Sequence, residues 1–383
     1  MTRSIKQQIH KLLVSFSNWL NQQLAPKRLL VVRLDAIGDY ILFRNFLQVL
    51  KNSKKFKGYS ITLLGNSVWK DIAENFDNEY VDKFIWVDKN ELNSTGAFWY
   101  LSTILSKIRI QQYKIILHPT YSREFLNGDF LLSLIEGDKI GYIGDYTNIT
   151  PENKEIGDTY YNRLIPAENS IKFEFYRNSD FFSTLLQEDI TFQKPFFTLG
   201  KIKKKNQIII FPGAGIKFRR WDASNFKELC NHILVTYPDT EIILAGGESD
   251  VTITEEIIQD LDSIRVTNLA GQKKLHEFIH LVHQSLVLVS NETSAVHIAS
   301  AVDTNVICIS NGNHYGRFNP YPVSVNKKVT TLYPYEVTSG SHEESIKKYG
   351  TGSDLDINLV SVSMVINTLD SIVTKALQEE ELE

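Results

Sequence analysis

Cysteine is nearly missing from this chain. Cys230 and Cys308 are the two thiols in 383 residues, both inside apolar stretches and without C-x-x-C or ligand-like spacing. A disulfide framework and a cysteine-held metal are thereby excluded, and buried thiols in a reducing cytosol are expected. A basic excess is missing too: 41 Lys and Arg stand against 45 Asp and Glu, for a formal net charge of −4. Nucleic-acid modules carry a clear positive surplus, so no nucleic-acid partner is expected and any anion site must be local. There is no run of about 18 apolar residues, hence no candidate for a membrane-spanning helix.

The opening stretch, "MTRSIKQQIHKLLVSFSNWLNQQLAPKR", lacks the uninterrupted apolar core and small-residue cleavage site of a secretory signal, so a cytoplasmic location is expected. Its apolar residues, among them Ile5, Leu12, Phe16 and Trp19, share one helical stripe over 1–25. Such a stripe packs on its own protein or rests on the cytoplasmic face of the inner membrane.

What the chain has in quantity is alternation. After Pro26, β-rich runs alternate with amphipathic helical patterns, the mark of a parallel sheet covered on both faces. In the first half the expected strands are 28–33, 59–64, 83–87, 114–118 and 139–143. In the second they are 207–211, 240–246, 264–271, 286–290 and 305–310. The class is α/β, with two doubly wound, Rossmann-like domains facing across a cleft. We divide the chain into a helix (1–25), a first domain (26–195), a Pro-, Gly- and Lys-marked linker (196–206), a second domain (207–355) and a final helix (356–383). The stretch "EVTSGSHEESIKKYGTGSD" reads as a mobile loop before that helix.

Ligands in such sheets bind beyond the carboxyl ends of the strands, so strand-following loops are where function should lie. In "FPGAGIKFRRWDASNF" (211–226), Gly213 and Gly215 allow a close backbone turn, and Lys217, Arg219 and Arg220 supply charge. That combination suits a phosphate or diphosphate, although a turn with a solvated basic edge has the same composition. In "SNETSAVHIASAV" (290–302), Thr293 or Ser294 opens a helix, either as a plain cap or as part of a phosphate-binding turn. His297 falls one turn into that helix. In "LAGGESD" (244–250), Glu248 at a strand end can accept ribose hydroxyls or stand in an ordinary turn. In "RLDAIGDYILF" (33–43), Asp39 behind Gly38 is placed either to cap a helix or to take a proton in the cleft.

"HEFIH" (276–280) fits the H-E-x-x-H zinc pattern, and His283 adds a third imidazole at helical spacing. The segment lies within the alternating series, however, and Leu275, Ile279 and Val282 give it a packing face. No metal site is expected, and a zinc peptidase is the remote alternative.

Three segments in order resemble glycosyltransferase family 9, the ADP-heptose:lipopolysaccharide heptosyltransferases. They are "LLVVRLDAIGDYILFRNFLQVLK", "IIIFPGAGIKFRRWDASNFKELC" and "NLAGQKKLHEFIHLVHQSLVLVSNETSAVHIASAVDTNVICI". The resemblance implies the GT-B fold and an inverting, metal-independent glycosyltransferase without a resident cofactor. Its co-substrate would be a nucleotide diphosphate sugar such as ADP-heptose, and its acceptor a lipopolysaccharide-core or other cell-surface glycan or glycolipid. By the same resemblance Asp39 takes the place of the general base, Arg219 lies near the diphosphate and Glu248 at the ribose. Thr293 and Ser294 fall on the phosphate-binding turn, and His297 closes the signature. Glu292, Ser294 and Ala295 depart from the family's Asp, Gly and Pro, which reshapes the donor pocket and leaves other nucleotide sugars, or a non-catalytic binder, as alternatives. On the acceptor side Gly38 is expected to let the acceptor approach. Arg123, in "HPTYSREFLNG" (118–128), either meets an anionic acceptor group or is a surface charge.

Overall fold

A computed structural model describes residues 26–381 apart from 169, 260, 262 and 263; the expected helix over 1–25 lies outside the described residues. Runs such as "RLLVVR" are buried along nearly their whole length, as strands covered by helices on both faces must be. β1 (Arg28–Arg33), β2 (Ser60–Asn66), β3 (Lys83–Val87), β4 (Ile115–His118), β5 (Asp138–Tyr142) and β6 (Arg163–Ile165) form one parallel sheet in the order β3-β2-β1-β4-β5-β6. β7 (Lys205–Phe211), β8 (Glu241–Leu244), β9 (Val266–Asn268), β10 (Ser285–Asn291), β11 (Asn305–Ile309) and β12 (Val329–Leu332) form the second, ordered β12-β11-β10-β7-β8-β9. Counted from its own first strand, each sheet has the order 3-2-1-4-5-6. The chain reverses direction between β1 and β4, and again between β7 and β10, so each sheet has one crevice predisposed to hold a ligand.

The lobes meet through apolar packing. Helix Ile37–Phe43, after β1, lies against helix Ser294–Ala301, after β10. Phe173 meets Tyr321 edge to face at 4.9 Å between ring centres, and one apolar cluster runs from Leu29 and Val31 through to Leu288 and Val296. The connecting segment is strapped to both lobes: the Phe196 carbonyl accepts from Asn45 Nδ2 at 3.0 Å, and Phe197 N–H donates to the Ala301 carbonyl at 3.1 Å.

The expected mobile loop is instead ordered. Helices Tyr335–Thr338 and His342–Tyr349 occupy it, the second opened by a reciprocal cap in which Ser341 N–H donates to Glu344 and Glu344 N–H to the Ser341 hydroxyl. Val337 and Tyr349 are buried with Tyr315 and Tyr333. The final helix spans Val362–Glu381, after a short turn over Ile357–Leu359.

Candidate active site

The first crevice is acidic. Beyond β1 the chain runs through buried Arg33, which pairs with Asp35 at 2.8 Å, and then turns into helix Ile37–Phe43. Ala36, not Asp39, is the N-cap of that helix. Asp39 stands in its first turn, where the helix dipole favours a carboxylate, and it accepts no hydrogen bond from any described side chain. It lines a pocket built from the ends of β1 and β4, together with Asp35, His118, Thr120, Glu174 and Arg317. Burial pushes its pKa from the ordinary 3.8 up to about 7; the Asp35 and Glu174 charges add to the rise, and Arg317 and Arg33 oppose it. A carboxylate poised there changes protonation at neutral pH, which suits a group that must take up a proton.

The second crevice is glycine-rich and cationic. Asn291 ties its two loops together: its Nδ2 donates to the Pro212 carbonyl at 2.7 Å, and its Oδ1 accepts from Trp221 N–H at 3.1 Å. Arg219, on a short turn over Lys217–Arg219, donates to the Glu292 carbonyl at 3.3 Å and lies 3.7 Å from the Glu292 carboxylate. The Glu292 side chain is turned inward, buried, and takes a hydrogen bond from Ser310. Thr293 caps helix Ser294–Ala301, its hydroxyl oxygen accepting from Ala295 N–H at 3.2 Å, and Ser294 is the first helical residue. Lys217 and Gly215 are exposed. A Cβ at Gly213 would stand 2.3 Å from the Asp250 carboxylate, which itself accepts from Gly247 N–H at 2.9 Å. Asp250 thus locks the loops after β7 and β8 together, and Glu248 is left exposed on the turn between them.

The two crevices touch at Gly38. A Cβ there would lie 2.9 Å from His297 Cδ2 and 3.8 Å from Ser294 Cα. The missing side chain therefore makes room for the other lobe, not for the acceptor as expected. This contact brings the helix that carries Asp39 beside the turn at Thr293 and Ser294.

Other sequence expectations need correction. Arg123 is neither a free acceptor contact nor a surface charge: it is 1% exposed, bonded to Asp129 at 3.0 Å and to Asp158, and stacked over Tyr161. His297 is 5% exposed and shares a 2.6 Å hydrogen bond with Tyr321. Burial pulls its pKa down to about 4, so it is a neutral ring at the lobe boundary. The "HEFIH" imidazoles are engaged elsewhere. His276 pairs with Asp71 of the first lobe at 2.9 Å, His280 packs on Phe76, and His283 lies 2.9 Å from the Gly200 carbonyl. Among the described residues no three His, Cys, Asp or Glu side chains converge as metal ligands.

Sequence reasoning missed Arg317 and Glu174. Arg317 reaches from the second half of the chain into the first crevice, where its Nε donates to Glu174 at 3.1 Å and its Nη1 to the Ser122 hydroxyl at 2.8 Å. The polar, aromatic loop "NGNHYGRFNPYP" was an available signal for Arg317; nothing marked Glu174 among the phenylalanines around it.

Residues 173–349 match the family model of glycosyltransferase family 9 (heptosyltransferase). Over those residues the chain is similar to glycosyltransferase family 9. Over 166 residues it is 28% identical to lipooligosaccharide heptosyltransferase 2 of Haemophilus influenzae, covering 38% of this chain and 46% of that protein, so the match spans less than half of the relative's length. In fold it is similar to the family 9 glycosyl transferase of Veillonella parvula (TM-score 0.71, 15% identity, 91% of this chain and 98% of that one). It is also similar to an Escherichia coli heptosyltransferase solved with ADP-2-deoxy-2-fluoro heptose (TM-score 0.65, 14% identity, 90% and 99%). The architecture is thus the two-domain α/β GT-B fold. The family 9 match takes in Glu174, the cationic loops and Arg317; Asp39 lies outside it.

Proposed function

We propose that the protein is an inverting glycosyltransferase that moves a sugar, heptose from ADP-heptose, onto a lipopolysaccharide-core or other cell-surface glycan. In this reading the acceptor oxygen bonds to the anomeric carbon as the bond from that carbon to the diphosphate oxygen breaks. The acceptor proton passes to Asp39, and the nucleoside diphosphate leaves with the bonding electron pair. Arg219 and Lys217 meet the negative charge on the diphosphate, helped by the glycine-loop N–H groups and the turn at Thr293 and Ser294. Glu248 is placed to receive the ribose hydroxyls, with residues 207–355 as the donor half and 26–195 as the acceptor half. No described helix is long and apolar enough to cross a membrane; contact of the protein with the cytoplasmic face of the inner membrane, where a glycolipid acceptor would be met, belongs to this proposal.

One observation supports the reading most: an unbonded carboxylate with a pKa near 7 stands on a helix that abuts the phosphate-type turn. Asp39→Asn removes the proton acceptor and nothing larger, so turnover with ADP-heptose should fall at least about 100-fold, the scale of general-base catalysis. Retained turnover refutes the base. Transfer should also persist in EDTA, since side-chain cations and helix N–H groups serve the leaving group; loss restored by Mg²⁺ would count against that role.

A further inference from the structure

The acceptor pocket has a charge pattern that narrows what enters it. Four carboxylates line it (Asp35, Asp39, Glu124 and Glu174) against a single guanidinium, Arg317. Each cation at its edge is already held by a carboxylate: Arg317 by Glu174 at 3.1 Å, Arg33 by Asp35 at 2.8 Å, and Lys89 by Glu124 at 2.7 Å. Arg123, behind the wall, is held by Asp129 and Asp158. Asp39 alone has no such partner among the described residues. An anionic group beside it would meet four carboxylates in a shielded pocket whose one lining guanidinium, Arg317, is already paired with Glu174, and like-charge juxtaposition there is strongly unfavourable.

The uncharged groups on the same wall suit hydroxyls. Thr120 Oγ1 and Asp35 Oδ1 are buried without a hydrogen-bond partner in a pocket that both residues line. The first can donate or accept and the second only accepts, so both are satisfied by O–H or N–H donors and the second is repelled by a carboxylate or phosphate.

We infer that the sugar presented to Asp39 is uncharged or amine-bearing around its reacting hydroxyl, with no carboxylate or phosphate there. This rests on the proposed role of Asp39 and adds the acceptor's chemical class to it.

The test is binding to the full chain with ADP held in saturation, read by calorimetry. The probes are methyl glycosides of a neutral aldose, its 2-amino-2-deoxy form, its uronic acid and its 6-phosphate. The neutral and amino glycosides should bind at least about 10-fold more tightly than the acidic pair, and Asp39→Asn should narrow that gap by improving only the acidic ligands. Equal or tighter binding of an acidic glycoside, no binding of the neutral and amino forms, or a gap unchanged in Asp39→Asn overturns the inference. Failure of the underlying function is separable. Turnover abolished in Asp39→Asn together with preference for an acidic acceptor leaves the enzyme and removes its charge selectivity; selective binding with turnover retained in Asp39→Asn does the reverse.

Discussion

The two lobes share one strand order and differ in the loops behind their first strands. Beyond β1 come Asp35, Asp39 and a wall of paired ions; beyond β7 come two glycines, Lys217 and Arg219. A common topology sets where each crevice opens, and in the proposed function the loop residues decide whether it receives a proton or a diphosphate. The clearest form of this contrast is between two arginines. Arg123 of the first lobe is sealed among two aspartates and a tyrosine ring, whereas Arg219 of the second is partly exposed on a turn, leaning on a backbone carbonyl.

The largest effect expected from breaking that contrast is on stability. Arg123→Ala leaves Asp129, fully buried, without its main counter-charge; loss of one partner of a buried pair costs about 3–5 kcal/mol. Chemical denaturation should show that loss. A variant as stable as the parent but poor in acceptor binding would return Arg123 to the site and erase the difference between the lobes. Asp39→Asn should act in the opposite sense. Because the Asp39 pKa rises from 3.8 to about 7 on folding, the folded protein holds a proton that the unfolded chain has released between those values. Stability from this group therefore falls as pH climbs from about 4 to 7, and the cost is fully present above 7. The variant should melt above the parent at pH 8 and level with it near pH 4, even as its turnover collapses.

The second lobe is probed by Arg219→Ala. Charge-assisted bonds contribute about 1.5–3 kcal/mol, so kcat/KM for the nucleotide sugar should fall on the order of 10- to 100-fold. Arg219 also faces the buried Glu292 carboxylate at 3.7 Å, so the melting temperature should fall, but less than for Arg123→Ala because Arg219 is itself partly exposed. Thermal melts beside donor kinetics distinguish this from the Arg123 outcome.

How much of this could be read from residues alone depends on how local each feature is. Most of the strands are apolar runs rich in Val, Ile and Leu, so ten of the twelve are visible in the sequence near where they stand; β6 and β12, short strands at the sheet edges, are not. The helix His342–Tyr349 is hidden by its polar composition, although Ser341 and Glu344 spell its cap. The positions of Asp39, Arg219, Thr293 and Glu248 behind strands are legible because a strand-following loop is a local address. Arg317 is not, since its meaning comes from Glu174, 143 positions earlier in the chain. Arg123 misleads for the same reason: its burial depends on Asp158, 35 residues on.

The finest test concerns the coupling between the lobes through Arg317. Glu174 acts on Asp39 in two ways that point in one direction: its own charge raises the Asp39 pKa, and by pairing with Arg317 it occupies the cation that would lower it. Glu174→Gln removes the first effect and frees the guanidinium for Asp39. The pH dependence of kcat/KM, which for a required carboxylate base rises with pH through the pKa of the free enzyme, should then have its acidic limb moved to lower pH, with little change on the plateau. An acidic limb that stays in place, or moves to higher pH, would mean that Arg317 and Glu174 hold the lobes together without tuning the base, and the first crevice would be acidic for reasons of architecture alone.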